Sequence, residues 1–416
     1  MLRVQGDRMD ILVIVGCDLS VNSSANLCHK AYIQGLLNCG CAVDLLTVAG
    51  KDSDQYHTEE LREYAYPMKS LYGSLAERHA GQADGGTSKD AKASSGGQQQ
   101  NAGGLLYKIK RMIHAMYGPY EVYIAWKRAA MHFRTDKEYD LVLSVSFPPV
   151  SHHLARELIR KKHIKTSHWI QIWEDPWSQD LVFRSLNEEK IITRAQQEEA
   201  SLLDSAERVL YVSPITLAHQ QELFPEAAHK MFWLPVPTYY INEEKMTTAA
   251  ENRYGYFGDY AAQIRNLMPF YQAALQENCI VNICGGSDQM LESRDRITVR
   301  PRISLDELRP IEDQTNVLVF LCNLRGGQIP GKIYQYSATL KTILFILDGT
   351  DEEQKVLRDY FGRFHRYVFC ENTVEDISRA IRDIERGDLH GAVNRPLDCF
   401  SPEKIVSEIL KEAEEH

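Results

Sequence analysis

The chain has 416 residues, of which 44% are hydrophobic and 25% are charged, and its formal net charge is -10 at pH 7. These are ordinary values for a globular protein, and the length exceeds what one hydrophobic core usually serves, so two domains are expected. The acidic balance argues against a general nucleic-acid-binding protein, which would carry a basic surface.

The cysteines and the N-terminus predict the compartment. Nine cysteines form no Cys-x-x-Cys pair and no Cys/His cluster at metal-ligand spacing, which predicts reduced, buried thiols and no bound metal. The N-terminal apolar run is too short for a signal peptide, and no stretch approaches the roughly 18 apolar residues of a membrane span. A cytoplasmic protein is therefore expected.

A strand-helix-strand unit opens the chain. Residues 9–16, "MDILVIVG", are the continuous apolar run of a strand buried on both faces of a parallel sheet. A loop containing Ser24 follows, then a helical pattern ending at Gly40 and a second strand over 41–50. This pattern places the first loop at a strand's carboxyl end, where ligands of such sheets bind.

Two unusual segments follow. Residues 80–104 are small and polar without periodicity, which predicts a flexible insertion. Residues 105–134 place apolar side chains on one helical face and basic ones, such as Lys108 and Lys127, off that face. This basic amphipathic segment is either a core-packing helix pair with a solvated face or a surface for anionic membrane lipids.

Carboxylates and histidines then follow predicted strands. Glu174 and Asp175 end the strand "SHWIQIW", where they could position or deprotonate an acceptor hydroxyl. The alternative for Asp175 is a helix cap, because Pro176 suits a first helical position. His152 and His153 follow a Pro-Pro loop and are either ordinary helix-surface residues or acceptor-side contacts.

Loss of periodicity divides the chain into two halves. We assign 1–235 to an N-terminal domain, 236–252 to a linker, 253–400 to a C-terminal domain and 401–416 to a final helix. Both halves alternate strands and helices. The predicted fold class is α/β, with two doubly wound Rossmann-like domains facing a cleft.

The segment "GGQIPGKIYQY" precedes a predicted strand. Glycines before a helix let a ligand approach the backbone, and a helix start favours an anion. Lys332 in the first turn is disfavoured by the helix dipole unless it meets an anion. The alternative is a tight turn with a solvated lysine. A P-loop is excluded because Ile333, and not Ser or Thr, follows the lysine.

Longer stretches resemble a known family. The stretch "IPGKIYQYSATLKTILFI" resembles the Pro-x-Lys…Glu-Tyr segment of GT-B glycosyltransferases, glycosyltransferase family 4 in particular. The stretches "YGYFGDYAAQIRNL" and "VNICGGSDQ" resemble its donor-binding domain, whereas "YDLVLSVSFPP", "QIWEDPW" and "DSAERVLYVSP" resemble its acceptor-side domain. They follow the family's order and cover most of the chain.

The resemblance implies a metal-independent, hexosyltransferase-type glycosyltransferase without a cofactor. A nucleotide-diphospho-sugar would bind the C-terminal domain, and a glycan or lipid-linked acceptor would bind the N-terminal one. The resemblance also implies retention of anomeric configuration and a role in cell-surface polysaccharide biosynthesis. With the basic segment 105–134, it predicts a peripheral position on the inner face of the plasma membrane.

Site residues are carried over by position. The catalytic candidates are Glu174 and Asp175, and no metal ligand is implied. The acceptor-side candidates are Ser24, His152 and His153. The donor-binding candidates are Gly258, Arg265, Gly285, Gly286, Gly327, Gln328, Ile329, Pro330, Gly331, Lys332 and Gln335. Arg265 would meet the diphosphate, with a solvated helix-start residue as the alternative.

Some positions depart from the family pattern. Gln335 stands where the family usually has a glutamate, and Gly327 stands eight positions earlier, where another is usual. An amide can still bond a ribose hydroxyl, but it supplies no charge. Leu340 and Thr342 replace the usual glycine and proline. The alternatives are therefore a nucleotide-sugar epimerase of the same architecture and a catalytically degenerate partner subunit.

Overall fold

The computed structural model describes residues 8–21, 23–50, 60–68, 121–146, 148–180, 184, 188–239, 251–325 and 327–415. The predicted insertion at 80–104, residues 105–120 of the basic segment and residues 240–250 of the predicted linker lie outside these ranges.

The described strands form two parallel sheets. The seven-stranded sheet has the order β3-β2-β1-β4-β5-β6-β7, and the six-stranded sheet has the order β10-β9-β8-β11-β12-β13. The first sheet comprises β1 Asp10–Val15, β2 Ala42–Val48, β3 Leu61–Tyr66, β4 Glu138–Ser146, β5 Lys165–Trp173, β6 Arg208–Tyr211 and β7 Met231–Trp233. The second comprises β8 Arg253–Phe257, β9 Ile280–Cys284, β10 Ile297–Arg300, β11 Val317–Leu321, β12 Thr342–Leu347 and β13 Val368–Glu371.

Helices cover the sheets. In chain order they are α1 Ser24–Asn38, α2 Glu121–Ala130, α3 Val150–Arg160, α4 Glu189–Ser205, α5 Pro214–Leu223, α6 Met268–Gln276, α7 Leu305–Asp313, α8 Lys332–Ser337, α9 Asp351–Gly362, α10 Val374–Glu385 and α11 Pro402–Glu414. Short 3-10 turns cover Trp177–Gln179, Pro225–Lys230 and Asp398–Phe400.

Strand order reverses once in each sheet. Ile11 of β1 pairs with Val43 on one side and Leu141 on the other, so the chain leaves β1 in both directions. In the second sheet Tyr254 of β8 likewise pairs with both β9 and β11. Such reversals open a crevice at the strands' carboxyl ends. The predicted class, two doubly wound Rossmann-like domains facing a cleft, is confirmed.

The sheet cores follow from the apolar runs. Residues 11–15 of β1 and all of β12 are buried, as expected for strands covered by helices on both faces. Strands β3 and β10 were not predicted. Both lie at sheet edges and are largely half-exposed, so neither has a continuous apolar run.

The final helix returns to the first sheet. Ile405 and Ile409 of α11 join the hydrophobic cluster that contains Ile11 and Val13. Gly35 of α1 permits this contact, because a Cβ there would lie 2.4 Å from the carbonyl oxygen of Pro402. The hydrophobic core of the first sheet therefore includes the last helix of the chain.

Candidate active site

A cavity of about 300 Å³ lies between the two halves. This volume is at the lower end for small-molecule sites, roughly 300–1,000 Å³. The predicted site residues that line it are Ser24, Glu174, Asp175, Arg265, Gln328, Ile329, Pro330 and Gly331. The structure thus brings the predicted catalytic pair to the same cavity as part of the predicted donor loop.

The start of α1 forms one wall. The Ser23 hydroxyl accepts a hydrogen bond from the Asn26 N–H at 3.1 Å and caps the helix. The Asn26 amide donates to the carbonyl oxygens of Asp18 and Val21 at 2.8 and 2.7 Å. These bonds fix the loop after β1 and hold Ser24 against the cavity.

Glu174 pairs with a histidine that sequence reasoning missed. His29 Nε2 lies 3.3 Å from Glu174 Oε2, with the imidazole fully buried and the carboxylate side chain 10% exposed. Burial alone would lower the pKa of His29, but the charge of Glu174 and the Cys17 side chain raise that pKa to about 10. The imidazole is therefore protonated at neutral pH. Ala25 lines the cavity, and His29 follows it by four residues, so the two lie on the same face of α1. This spacing was the one feature of the sequence that could have indicated His29.

Asp175 has different partners. The Gln328 side-chain amide donates a hydrogen bond to Asp175 Oδ1 across the cleft. Burial and the nearby charges of Asp180 and Glu174 raise the pKa of Asp175 to about 7. This carboxyl therefore exchanges a proton near neutral pH. The interpretation of Asp175 as a helix cap is wrong, since the Trp177–Gln179 turn follows Pro176 and has no side-chain cap.

Arg265 is held on the opposite wall. Its Nε donates to Asn323 Oδ1 at 2.8 Å, and its Nη1 donates to the carbonyl oxygen of Asp259 at 2.9 Å. These two bonds orient the guanidinium at the cavity, where its charge is available to an anion.

Lys332 lies behind this wall and does not line the cavity. Its side chain runs beside Gly258, where an added Cβ would be 3.9 Å from Lys332 Cε. Burial lowers the pKa of Lys332, the charge of Arg265 adds to this, and Glu312 and Asp259 only partly offset it. Within the described ranges its ammonium forms no hydrogen bond or ion pair.

Gly285 and Gly286 contact neighbouring backbone. A Cβ on Gly285 would lie 1.9 Å from the Gly258 carbonyl oxygen, so glycine is required where the ends of β8 and β9 meet. The Gly258 N–H donates to the Cys284 carbonyl oxygen at 2.9 Å. The Gly286 N–H donates to Asp259 Oδ1 at 2.8 Å. Their predicted contacts with the donor stay predictions.

Gly327 and Gln335 accept hydrogen bonds from distant parts of the chain. Gly327 has φ +71°, and its carbonyl oxygen accepts a hydrogen bond from Ser213 Oγ at 2.6 Å. Gln335 Oε1 accepts from the Tyr239 N–H at 3.1 Å. Gly327 therefore ties the donor loop to the first half, and Gln335 supports the chain between the two sheets. Their donor-binding roles stay predictions.

The predicted acceptor-side histidines lie apart from the cavity lining. His152 is buried, with Nδ1 2.7 Å from Ser144 Oγ and its ring 4.4 Å from that of Trp173. His153 Nε2 lies 3.7 Å from Glu198 Oε2. The helix-surface interpretation is wrong for His152, which belongs to the core of the first half.

Comparisons with known proteins identify the fold only. No protein-family model matches the chain, and no curated protein is similar to it in sequence. A glycosyltransferase from Rickettsia africae ESF-5 aligns with TM-score 0.53 and 10% identity over 98% of both chains. Arabidopsis thaliana UGT89C1 complexed with UDP-L-rhamnose aligns with TM-score 0.51 and 9% identity over 97% of this chain and 98% of the other. The chain therefore has the GT-B fold of glycosyltransferases, whereas membership of family 4 is not confirmed.

Proposed function

We propose that the chain is a glycosyltransferase that moves a sugar from a nucleotide-diphospho-sugar to a glycan or lipid-linked acceptor. One observation carries this proposal. The carboxylates of Glu174 and Asp175 and the guanidinium of Arg265 face each other across one cavity, and the Lys332 side chain lies behind it. The cations suit a diphosphate, and the carboxylates suit an acceptor hydroxyl.

The donor would be held by the second half. The guanidinium of Arg265 offers forked, charge-assisted donors, and its bonds to Asn323 and Asp259 hold it ready. Lys332 would complete the charge balance, because its partly buried ammonium has no ion-pair partner among the described residues and an anion would supply one. Both cations would stabilise the charge that develops on the departing diphosphate.

The acceptor would be held by the first half. Glu174, Asp175 and the Ser24 hydroxyl can accept hydrogen bonds from an acceptor and set its orientation. In the retaining reaction, the bond from the anomeric carbon to the diphosphate breaks as the bond to the acceptor oxygen forms. The acceptor proton passes to the departing diphosphate, so this scheme needs neither a metal nor a cofactor.

The membrane also belongs to this proposal. Among the described helices, none is long and apolar enough to cross a membrane. Helix α2 packs Trp126 fully into the core and exposes Arg128, while Lys127 lies half-buried beside it. An anionic inner leaflet would attract such a basic surface and present a lipid-linked acceptor for cell-surface polysaccharide synthesis.

The test is incubation of the purified chain with a panel of nucleotide sugars and a membrane lipid extract. Sugar on lipid, read by mass spectrometry, supports the proposal. A free epimer without transfer would replace it with an epimerase. No binding of any nucleotide by calorimetry would exclude both enzymes and leave a partner subunit.

A further inference from the structure

We propose that His29 is a positioning residue for Glu174, holding this carboxylate so that its second oxygen accepts a hydrogen bond from the acceptor hydroxyl. The inference rests on the proposed function, since it concerns the acceptor of that same reaction. It assigns a task to a buried side chain that the transfer scheme above does not use.

The geometry of the pair carries the inference. His29 Nε2 and Glu174 Oε2 lie 3.3 Å apart, and the imidazole is completely shielded from solvent. The other oxygen, Glu174 Oε1, is buried and has no hydrogen-bond partner among the described residues. Glu174 nevertheless lines the cavity. A buried carboxylate oxygen without a partner is rare and costly, and an acceptor hydroxyl would supply the missing bond.

The surroundings explain why a cation is needed here. Among the described residues, the titratable groups that face the pair are Cys17 from the loop after β1, Cys28 and Tyr32 from α1, and the neighbouring Asp175. All of these are neutral or acidic. The His29 imidazolium is therefore the cation that faces the Glu174 carboxylate among these groups, and it holds the second carboxylate oxygen on the acceptor wall.

A merely structural pair makes a different prediction. A buried ion pair can often be replaced by neutral groups of similar shape with little loss of stability. A structural role would therefore be satisfied by amides at both positions, whereas a positioning role requires the charged carboxylate. Activity and stability then respond differently to the same substitutions.

The test compares His29→Gln with His168→Gln, a matched change at another histidine of the same half, which pairs with Glu207 at 3.1 Å and does not line the cavity. We expect His29→Gln to lower kcat by about tenfold or more while the Kd of the donor nucleotide stays the same. We expect the KM of the acceptor to rise in the same variant, because a carboxylate that loses its cation no longer holds its second oxygen towards the acceptor hydroxyl. His168→Gln should keep kcat and both binding constants.

Glu174→Gln completes a double-mutant cycle. We expect the double variant to transfer no more slowly than Glu174→Gln alone, because the two residues act as one unit. If His29→Gln does not fold, the double variant removes both charges and still tests the inference, with slow transfer expected. Normal kcat in a folded His29→Gln or in the double variant would overturn the inference.

Failure of the proposed function looks different. In that case the unmodified protein transfers no sugar from any nucleotide sugar, and the inference falls with it. Failure of the inference alone appears as transfer by the unmodified protein and equal transfer by His29→Gln.

Discussion

Glu174 and Asp175 are neighbours at the end of β5, and their carboxylates meet different partners. Glu174 faces the His29 imidazolium, whereas Asp175 accepts a hydrogen bond from Gln328 of the opposite half. The two carboxyls therefore differ in their charged neighbours although they are adjacent in the sequence. Acid–base sites use such differences to give two like groups separate tasks.

The raised pKa of Asp175 predicts a pH-dependent stability. Its folded pKa of about 7 lies above the ordinary 3.8, so the folded chain binds this proton more tightly than the unfolded chain. The free energy of unfolding should therefore fall as pH rises from about 4 to about 7. We expect Asp175→Asn to raise the unfolding free energy by on the order of 1–2 kcal/mol at about pH 8, after discounting for solvent screening of this partly buried carboxyl, and to change it little near about pH 4.

Denaturant unfolding at the two pH values measures this difference. Asp359→Asn is the control, because that carboxylate is 65% exposed on α9. If Asp175→Asn raises the unfolding free energy no more at high pH than at low pH, the raised pKa of Asp175 is contradicted.

Lys332 should oppose stability and favour binding. Because burial lowers its pKa, the folded chain holds this proton less tightly than the unfolded chain, and the charged form is destabilising at neutral pH. We expect Lys332→Met to raise the unfolding free energy by about 1 kcal/mol and to weaken nucleotide-sugar binding by about tenfold. Thermal unfolding and calorimetry measure the two effects. Lys355→Met, at a site 78% exposed, should change neither.

The loop between β11 and α8 works as one element that joins the two halves. Its Gly327 packs against Ile215 and accepts a hydrogen bond from Ser213, and its Gln328 reaches Asp175. A substitution that displaces this loop should therefore weaken the contact between the two halves. It should also disturb the bond from Gln328 to the predicted catalytic carboxylate of Asp175.

Two glycines with similar φ angles separate the cost of the backbone conformation from the cost of the contact with Ile215. Gly327 and Gly387 have φ +71° and +78°, but an added Cβ meets Ile215 Cγ2 at 2.4 Å only in the first case and nothing within 4 Å in the second. We expect Gly387→Ala to cost about 1 kcal/mol through the backbone alone. Gly327→Ala should cost roughly 1–3 kcal/mol more through overpacking and should slow transfer.

Thermal unfolding and a transfer assay on both alanine variants measure this. Equal losses of unfolding free energy in the two variants would contradict the overpacking expected between an alanine at position 327 and Ile215.

Some strands can be predicted from their own residues, whereas others depend on the strands beside which they lie. The apolar runs of β1 and β12 predicted strands because both faces are buried, whereas the edge strands β3 and β10 have no such run. Element order alone was enough to predict the α/β class and the cleft.

The site divides in the same way. Glu174 and Asp175 could be placed at the cleft because they follow the carboxyl end of a strand, whereas Arg265 was placed there by the resemblance to a family. The pairing of His29 with Glu174 and the bond from the Tyr239 N–H to Gln335 depend on tertiary packing between distant segments. No spacing in the sequence encodes such contacts, so Gln335 could be compared with a family pattern but its bond to Tyr239 could not be predicted.

The last helix connects the two halves of the molecule, in addition to the contacts across the cleft. Helix α11 follows the second sheet in sequence and packs on the first, with Ile409 fully buried beside the strands of that half. The stability of the first half therefore depends on residues from the end of the chain.

Ile409→Ala should destabilise the first half from the far end of the sequence. We expect a loss of about 2–4 kcal/mol, as for other buried aliphatic truncations. Hydrogen exchange should show faster exchange of the β1 amides. Met290→Ala, at a site 88% exposed, should stay within about 0.5 kcal/mol of the unmodified protein. Unchanged β1 exchange in Ile409→Ala would contradict the role of α11.

The central claim is that the cleft binds the diphosphate of a nucleotide sugar through Arg265. Calorimetric titration of the unmodified chain with a panel of nucleoside diphosphates and their sugars tests this claim most directly. We predict that at least one compound binds and that Arg265→Ala weakens its binding by about tenfold or more. Arg379→Ala, at an arginine 65% exposed on α10, should leave this binding unchanged. Binding of none of them, or equal binding by Arg265→Ala, would contradict the claim.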